Sequence, residues 1–277
     1  MEKESLTQLA TLSHPQRMQV FRLLMRRFPD AVPAGEIAAA LELKPSTNSV
    51  YLSALKEAGL VTQDRHGTSL RYRAEITALQ QLMRYLFNDC CRGRPEFCTP
   101  PDLTEMPAMP HRAPYHVLFI CSGNSARSIM GEALLRSIGG DRFAVHSAGT
   151  RPYSELNPFT LRLLADKGHD ISGLRAKNVS EFQGPAAPKM DFVFTVCDQA
   201  ANEDCPTWEG QPLSAHWGLP DPVKATGTEA EKMLAFQQTY GQLKNRIRAF
   251  AALPFDTLDR ISLQAALDDL GRQEIDA

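Results

Sequence analysis

The spacing of apolar residues changes once along this chain, from a mostly helical period to an alternation of strands and helices. Toward the N-terminus, Leu9, Leu12, Val20, Leu23 and Leu24 recur at helical spacing. Ser13-His14-Pro15 interrupts them, so Ser13 is expected to cap a new helix with Pro15 in its first turn. A second helix is expected over 34–41. A third opens at Ser46 or Thr47, continues to Ala58 and stops at Gly59. The segment LVTQDRHGTSLRYR then alternates around His66-Gly67 as two short strands, a hairpin signal, and 76–88 reads as a long amphipathic helix.

Beyond residue 114 the pattern is different. YHVLFI (115–120) predicts a strand, followed by a loop of small residues and a helix to about 138. A strand follows over 143–149, a helix over 158–168, a strand over 191–197 and a long helix over 229–252, with a short fourth strand near 214–217. Alternation of this kind implies a parallel sheet with helices on its faces. Between the two patterns, Thr99–Pro114 holds five prolines and little apolar periodicity, which reads as a linker. The expected organisation is a front domain over 1–98, a linker over 99–114 and a rear domain over 115–277.

Bulk composition narrows the setting. At 277 residues, with 43% hydrophobic and 22% charged residues, the chain matches two soluble domains. No apolar run is long enough to span a bilayer, and MEKESLTQLA lacks the pattern of a signal peptide. A cytoplasmic location without a membrane partner is therefore expected, with the six cysteines mostly reduced and available for metal binding or redox chemistry. The net charge of −2 is uneven: residues 1–100 hold 13 Lys+Arg against 10 Asp+Glu, and the remainder 17 against 22. A mildly basic front half is compatible with DNA without establishing it.

The strongest chemical signal is Cys121-Ser-Gly-Asn-Ser-Ala-Arg127-Ser128, lying between an apolar strand and a helix. A loop in that position turns successive backbone N–H groups inward as a cradle for a tetrahedral oxyanion, so Gly123, Asn124, Ser125, Ala126, Arg127 and Ser128 are the expected anion-binding residues. Gly123 permits the tight path, and Asn124 tolerates a left-handed backbone. Arg127 offers a planar fork to two oxygens. The same field is expected to favour the Cys121 thiolate, with Ser128 donating to the sulfur. A buried small residue beside a surface arginine is the plain alternative.

This octet resembles the loop of low-molecular-weight protein tyrosine phosphatases and of the thiol-dependent arsenate reductases related to them. The likeness extends over most of 115–270, through SAG at 147–149 and Leu219-Pro220-Asp221-Pro222. It implies an α/β domain with a four-stranded parallel sheet and Asp221 as general acid. Cys197 and Cys205, after the third expected strand, look like the two further cysteines of the reductases. The phosphatase pattern departs at Ile129 and Val223, where proline and an aromatic residue are usual. The implied chemistry is attack of Cys121 on arsenate, then of Cys197 on Cys121 with release of arsenite, then of Cys205 on Cys197. A thioredoxin-like or glutaredoxin-type partner would reduce the last disulfide. No tightly bound cofactor is implied, although some such reductases hold potassium. An oxyanion-binding domain without turnover and a tyrosine phosphatase are the competing readings.

In the front half, residues 46–61 (STNSVYLSALKEAGLV) match the pattern of a recognition helix. Val50, Leu52, Leu55 and Leu60 are expected to face inward. Ser46, Thr47, Asn48, Ser49 and Tyr51 are expected to reach bases and phosphates, with Arg65, His66, Arg71 and Arg73 on a phosphate-touching wing. With the order of its helices, the segment resembles the ArsR/SmtB family of repressors over about 5–98. This implies a mostly-α winged helix-turn-helix, operator DNA as partner and a homodimer that releases DNA on binding a metal or metalloid. Cys90, Cys91 and Cys98 resemble the arsenite-binding cluster of a subset of these proteins. Zinc through that cluster and His111 is the weaker alternative, for want of a fourth ligand at ordinary spacing.

Overall fold

The computed structural model describes residues 2–92, 94, 114–153, 155–184, 186–203, 208, 210–255 and 257–272. Most of the expected linker, together with Cys98, His111 and Cys205, lies outside the described residues. The chain divides into two compact units, Met1–Ala108 and Met109–Ala277. No helix among the described residues is long and apolar enough to cross a membrane.

The front unit contains α1 (Glu2–Leu12), α2 (Pro15–Arg26), α3 (Ala34–Ala40), α4 (Pro45–Glu57), the hairpin β2 (Val61–His66) and β3 (Ser69–Ala74), and α5 (Ile76–Tyr85). A two-residue strand, β1 (Val32–Pro33), adds antiparallel to β3. Val20, Leu23 and Leu24 of α2 meet Ile37 of α3 and Leu52 and Leu55 of α4 in one core. Gly59 ends α4 at φ +71°, a conformation that costs a residue with a Cβ more than it costs glycine.

Four local expectations need correction. Ser13 does not cap α2: its hydroxyl donates back to Ala10 O, and His14 holds the cap position without a side-chain bond. Helix α4 starts at Pro45, whose fixed φ suits a first turn. The helix expected to reach residue 88 ends at Tyr85 and widens into a π-turn over Leu86–Cys90. Val50, expected inside, is 66% exposed, because the buried face of α4 runs through Asn48, Leu52 and Leu55.

The rear unit carries β4 (Tyr115–Cys121), β5 (Phe143–Gly149), β6 (Phe192–Thr195) and β7 (Leu213–His216) in the order β5-β4-β6-β7. All pairings are parallel. Helices α6 (Arg127–Gly139), α7 (Pro158–Asp166), α8 (Asp198–Asn202), α9 (Glu229–Ala251) and α10 (Arg260–Arg272) complete it. Six of the seven residues of β4 are buried, as expected for a central strand covered on both faces. Phe119, Phe194, Phe250 and Trp217 fill the core, with the Phe194 and Trp217 rings stacked at 4.0 Å. Each such side chain contributes roughly 1.5–3 kcal/mol of burial. Helix α10 is an addition to the sequence reading. Leu263, Leu267 and Leu270 bury one face of it, and the Asp259 carboxylate accepts from the N–H groups of Ile261 and Ser262.

Candidate active site

Four strands deliver their last residues to one edge of the rear sheet. Cys121 ends β4, pairing with Gly149 of β5, while Ile120 pairs with Thr195 and Thr195 with His216. Cys197 and Asp221 therefore follow neighbouring strands at the same carboxyl edge. The loop after Cys121 is held by its carbonyls. Cys121 O accepts from Thr150 N at 3.1 Å, Ser122 O from Arg151 N at 2.9 Å, Gly123 O from Tyr153 N at 2.9 Å and Ser125 O from Asn157 N at 3.1 Å. In a trans peptide the N–H points opposite to the C=O. Four carbonyls drawn toward 150–157 thus leave the amides of Ser122, Gly123, Asn124 and Ala126 for the concave side. Asn124 N–H donates to Cys121 Sγ at 3.2 Å. The loop needs Gly149 beneath it, since a Cβ there would lie 2.7 Å from Ser122 O and 3.0 Å from Asn124 Cβ. Arg127 then opens α6.

Asn124 has φ +44° and anchors a buried polar network. Its Nδ2 donates to Ser128 Oγ at 2.8 Å and to Ser147 Oγ at 2.9 Å, and its Oδ1 accepts from Lys177 N at 2.7 Å. Ser147 hydroxyl donates to Glu132, which also meets Arg136 and, at 2.9 Å, Lys177 Nζ. Glu132, Lys177 and Arg136 did not figure in the sequence reading. A glutamate within the largely apolar stretch SIMGEALL (128–135) was the available signal for Glu132; nothing marked Lys177. Potassium does not fit this position. Both carboxylate oxygens of Glu132 are engaged by protein cations, and among the described residues no group of three or more His, Cys, Asp or Glu is placed to hold a metal.

Cys121 Sγ lies 2.9 Å from Ser128 Oγ. The expected lowering of its pKa is reversed. Burial pushes the thiol up and the neighbouring Cys197 adds to this, outweighing the donors at Ser128 and Asn124 that pull it down. Desolvation of the buried sulfur is the larger effect.

The other expected groups converge here. Arg127 Nη2 lies 3.0 Å from Asp221 Oδ2, and its Nη1 donates to Leu219 O at 2.8 Å. Cys197 caps α8, accepting from Ala200 N at 3.4 Å, and its sulfur lies 3.5 Å from Ser122 Oγ. His216, also absent from the sequence reading, braces that segment from β7, with Nε2 3.1 Å from Asp198 and Nδ1 2.9 Å from Thr195 Oγ1. Tyr153, 62% exposed, lies against Gly123 at the mouth.

A sequence model described as "Low molecular weight phosphotyrosine protein phosphatase" matches residues 116–262, more than half of the chain. The chain belongs to this family. An arsenate reductase of Oceanobacillus iheyensis is 36% identical over 135 residues, which are 49% of this chain and 94% of that protein. A glutaredoxin arsenate reductase of Synechocystis sp. is 29% identical over 136 residues, 49% of this chain and 95% of its own length. A solved arsenate reductase in the phosphate binding state is 27% identical and superposes with a TM-score of 0.42 over 50% of this chain and 97% of its own.

A second model, a helix-turn-helix domain, matches residues 12–64, so the phosphatase-family domain is fused to a front unit of DNA-binding type. Ser46 and Ser49 are exposed on α4, Ser49 Oγ donating to its own helix at Pro45 O, while Thr47 and Tyr51 are half-buried. Tyr51 hydroxyl meets Gln16. Asn48 cannot serve as expected: it is 2% exposed, and its Nδ2 donates to Ala34 O at 2.8 Å. Arg65 and His66 stand exposed at the hairpin tip, Arg71 is half-buried, and Arg73 lies 3.8 Å from Asp64. Cys90 is an exposed free thiol. Cys91 is buried and disulfide-bonded, an exception to the expectation of mostly reduced thiols, while Cys121 and Cys197 are free.

Proposed function

We propose that this protein couples arsenate reduction to transcriptional control: the phosphatase-family domain reduces arsenate through a cysteine relay, and the front domain is a DNA-bound repressor released by the arsenite produced. The observation that carries the first half is Cys197, which approaches Ser122 of the anion loop and follows the strand beside Cys121. Hydrolysis of a phosphocysteine requires water and no second thiol; reduction of arsenic requires two electrons from thiols.

The reaction closes on these residues. Arsenate enters the amide cradle and takes up the Cys121 proton. A dianion able to accept that proton answers the raised thiol pKa. The thiolate forms a sulfur–arsenic bond and an oxygen leaves as water, with Asp221 the proton donor and Arg127 holding two oxygens. Cys197 attacks Cys121 sulfur, the S–As bond breaks, and its electron pair leaves on arsenic as arsenite. Cys205 attacks Cys197, freeing Cys121. A thioredoxin- or glutaredoxin-type thiol donor returns the final disulfide to thiols. Net consumption is one arsenate and two thiols, giving arsenite, water and a disulfide.

For the front domain, Ser46, Ser49, Arg65 and His66 are exposed and free to meet phosphates and base edges. Helix α1 buries Ser5, Gln8 and Thr11 against its own unit and leaves Leu6 52% and Leu9 36% exposed, while Met83 of α5 is 57% exposed. Apolar side chains left open on two helices support a homodimer. Arsenite sensing is assigned to Cys90, Cys91 and Cys98 and requires Cys91 in its reduced form.

The test has two arms. Purified protein is incubated with arsenate, thioredoxin, thioredoxin reductase and NADPH; turnover should vanish in Cys121→Ser and Cys197→Ser. Absence of turnover with every thiol donor, or aryl phosphate hydrolysis that survives Cys197→Ser without arsenate reduction, contradicts the reductase. Under the same reducing conditions arsenite should release labelled operator DNA from the wild type and not from Cys90→Ser/Cys91→Ser.

A further inference from the structure

Lys177 takes no part in the relay or the cradle, yet its place is tightly fixed. Its N–H donates to Asn124 Oδ1 at 2.7 Å and its carbonyl accepts from Gly149 N at 2.8 Å. The side chain ends inside the domain, 8% exposed, with Nζ 2.9 Å from Glu132 Oε2; Glu132 itself is 1% exposed. An ionised carboxylate only accepts hydrogen bonds. Ser147 therefore commits its single O–H to Glu132 and receives Asn124 Nδ2 on its oxygen. The second Nδ2 proton goes to Ser128 Oγ, which leaves the Ser128 O–H for Cys121 Sγ at 2.9 Å. Glu132 thus turns the Ser147 hydroxyl, and the Lys177 N–H on Oδ1 turns the Asn124 amide so that Nδ2 meets Ser147 and Ser128. A buried carboxylate keeps its charge only with cations against it.

We propose that the Lys177 ammonium is a built-in counter-ion of Glu132 which holds Ser147 and, through it, Asn124 and Ser128 in place beneath Cys121, so that the loop works without a bound monovalent cation. Arg136 shares the carboxylate from the half-exposed side of α6, whereas Lys177 supplies the buried charge. Both Lys177 and Glu132 act as positioning residues through Asn124 and Ser128. A free ion would occupy the position according to its concentration; a tethered ammonium is always present. The inference rests on Cys121 as the reacting sulfur.

The experiment compares full-length protein in potassium chloride and in choline chloride at equal ionic strength, with three readouts: melting temperature, the rate of Cys121 carboxymethylation by iodoacetate followed by peptide mass spectrometry, and arsenate turnover. Wild type should be indifferent to the cation in all three, as should Lys177→Arg. Lys177→Met in choline should melt lower and alkylate Cys121 several-fold more slowly, with both effects partly reversed by potassium. If Lys177→Met does not fold, the Lys177→Met/Glu132→Gln variant, which removes both charges, should fold, alkylate slowly and ignore potassium. Potassium dependence of the wild type overturns the proposal. So does a wild-type alkylation rate in Lys177→Met, or in the double variant. If alkylation behaves as stated while no variant or wild type turns over arsenate, the reductase assignment alone fails.

Discussion

The two units hold their candidate functional side chains under opposite conditions. In the rear unit Cys121, Asn124, Ser125 and Ser128 are buried, and Asn124 alone makes three side-chain hydrogen bonds. In the front unit Ser46, Ser49, Arg65 and His66 face outward. Bond-making chemistry gains most from dipoles fixed before the substrate arrives, in a site that excludes water. A surface that reads a charged polymer keeps its donors hydrated until the polymer displaces the water. Substitutions in the rear loop should therefore act through geometry and cost much, and those on the front surface should act singly and cost little.

The sharpest challenge to this contrast is Arg127→Lys. The variant keeps the charge and loses the fork that reaches both Leu219 O and Asp221, so arsenate turnover should fall about 10²–10³-fold, the scale of losing one preorganised donor. A fall of two-fold or less in the coupled NADPH assay would mean that the loop works as a simple point charge. Next in size is Gly149→Ala, which touches neither anion nor sulfur. Its Cβ would press on Ser122 O at 2.7 Å, which should cost about 1–3 kcal/mol in urea unfolding and slow turnover beyond the loss of folded protein.

In the front unit the same contrast separates two polar residues, Asn48 on α4 and Arg65 on the hairpin. Asn48→Ala removes a buried bond to Ala34 O and should cost about 1 kcal/mol of stability. Arg65→Ala should leave stability unchanged, weaken operator binding a few-fold and reduce the salt dependence of log Kd by about one. Reversal of these two outcomes would reverse which residue serves the fold. The smallest effect is that of pH. Because the folded pKa of Cys121 is raised, chiefly by burial, the folded state keeps its proton where the unfolded chain has lost it. Its contribution to stability is complete below the unfolded thiol pKa and is lost as pH rises through the folded value. Wild type should thus lose more stability than Cys121→Ser on the alkaline side, measured as melting temperature against pH.

What the sequence disclosed and withheld follows the range of the interactions. The strand–loop–helix around Cys121 was legible because apolar period, glycine and arginine lie within one octet. Cys197 and Asp221 were placed because parallel strands bring all their C-terminal ends to one edge. Asn48 was misassigned because its partner, Ala34 O, lies on another helix; Val50 was misassigned although it stands two residues, about 200° of helix, from Leu52 and so off the buried face. The Glu132–Lys177 pair joins residues 45 positions apart, so only folding reveals it. The direction of the Cys121 pKa shift was missed for a similar reason: the dipoles are local, while the burial that outweighs them comes from the whole sheet edge.

The central claim is a transfer of two electrons from Cys121 and Cys197 to one arsenic atom. The most direct measurement is a single turnover of reduced Cys205→Ser protein with arsenate and no external thiol, read by peptide mass spectrometry and arsenite determination. The account predicts a Cys121–Cys197 disulfide formed in step with one equivalent of arsenite. Arsenite without that disulfide, or no arsenite from protein whose Cys121 still reacts with iodoacetate, would contradict it.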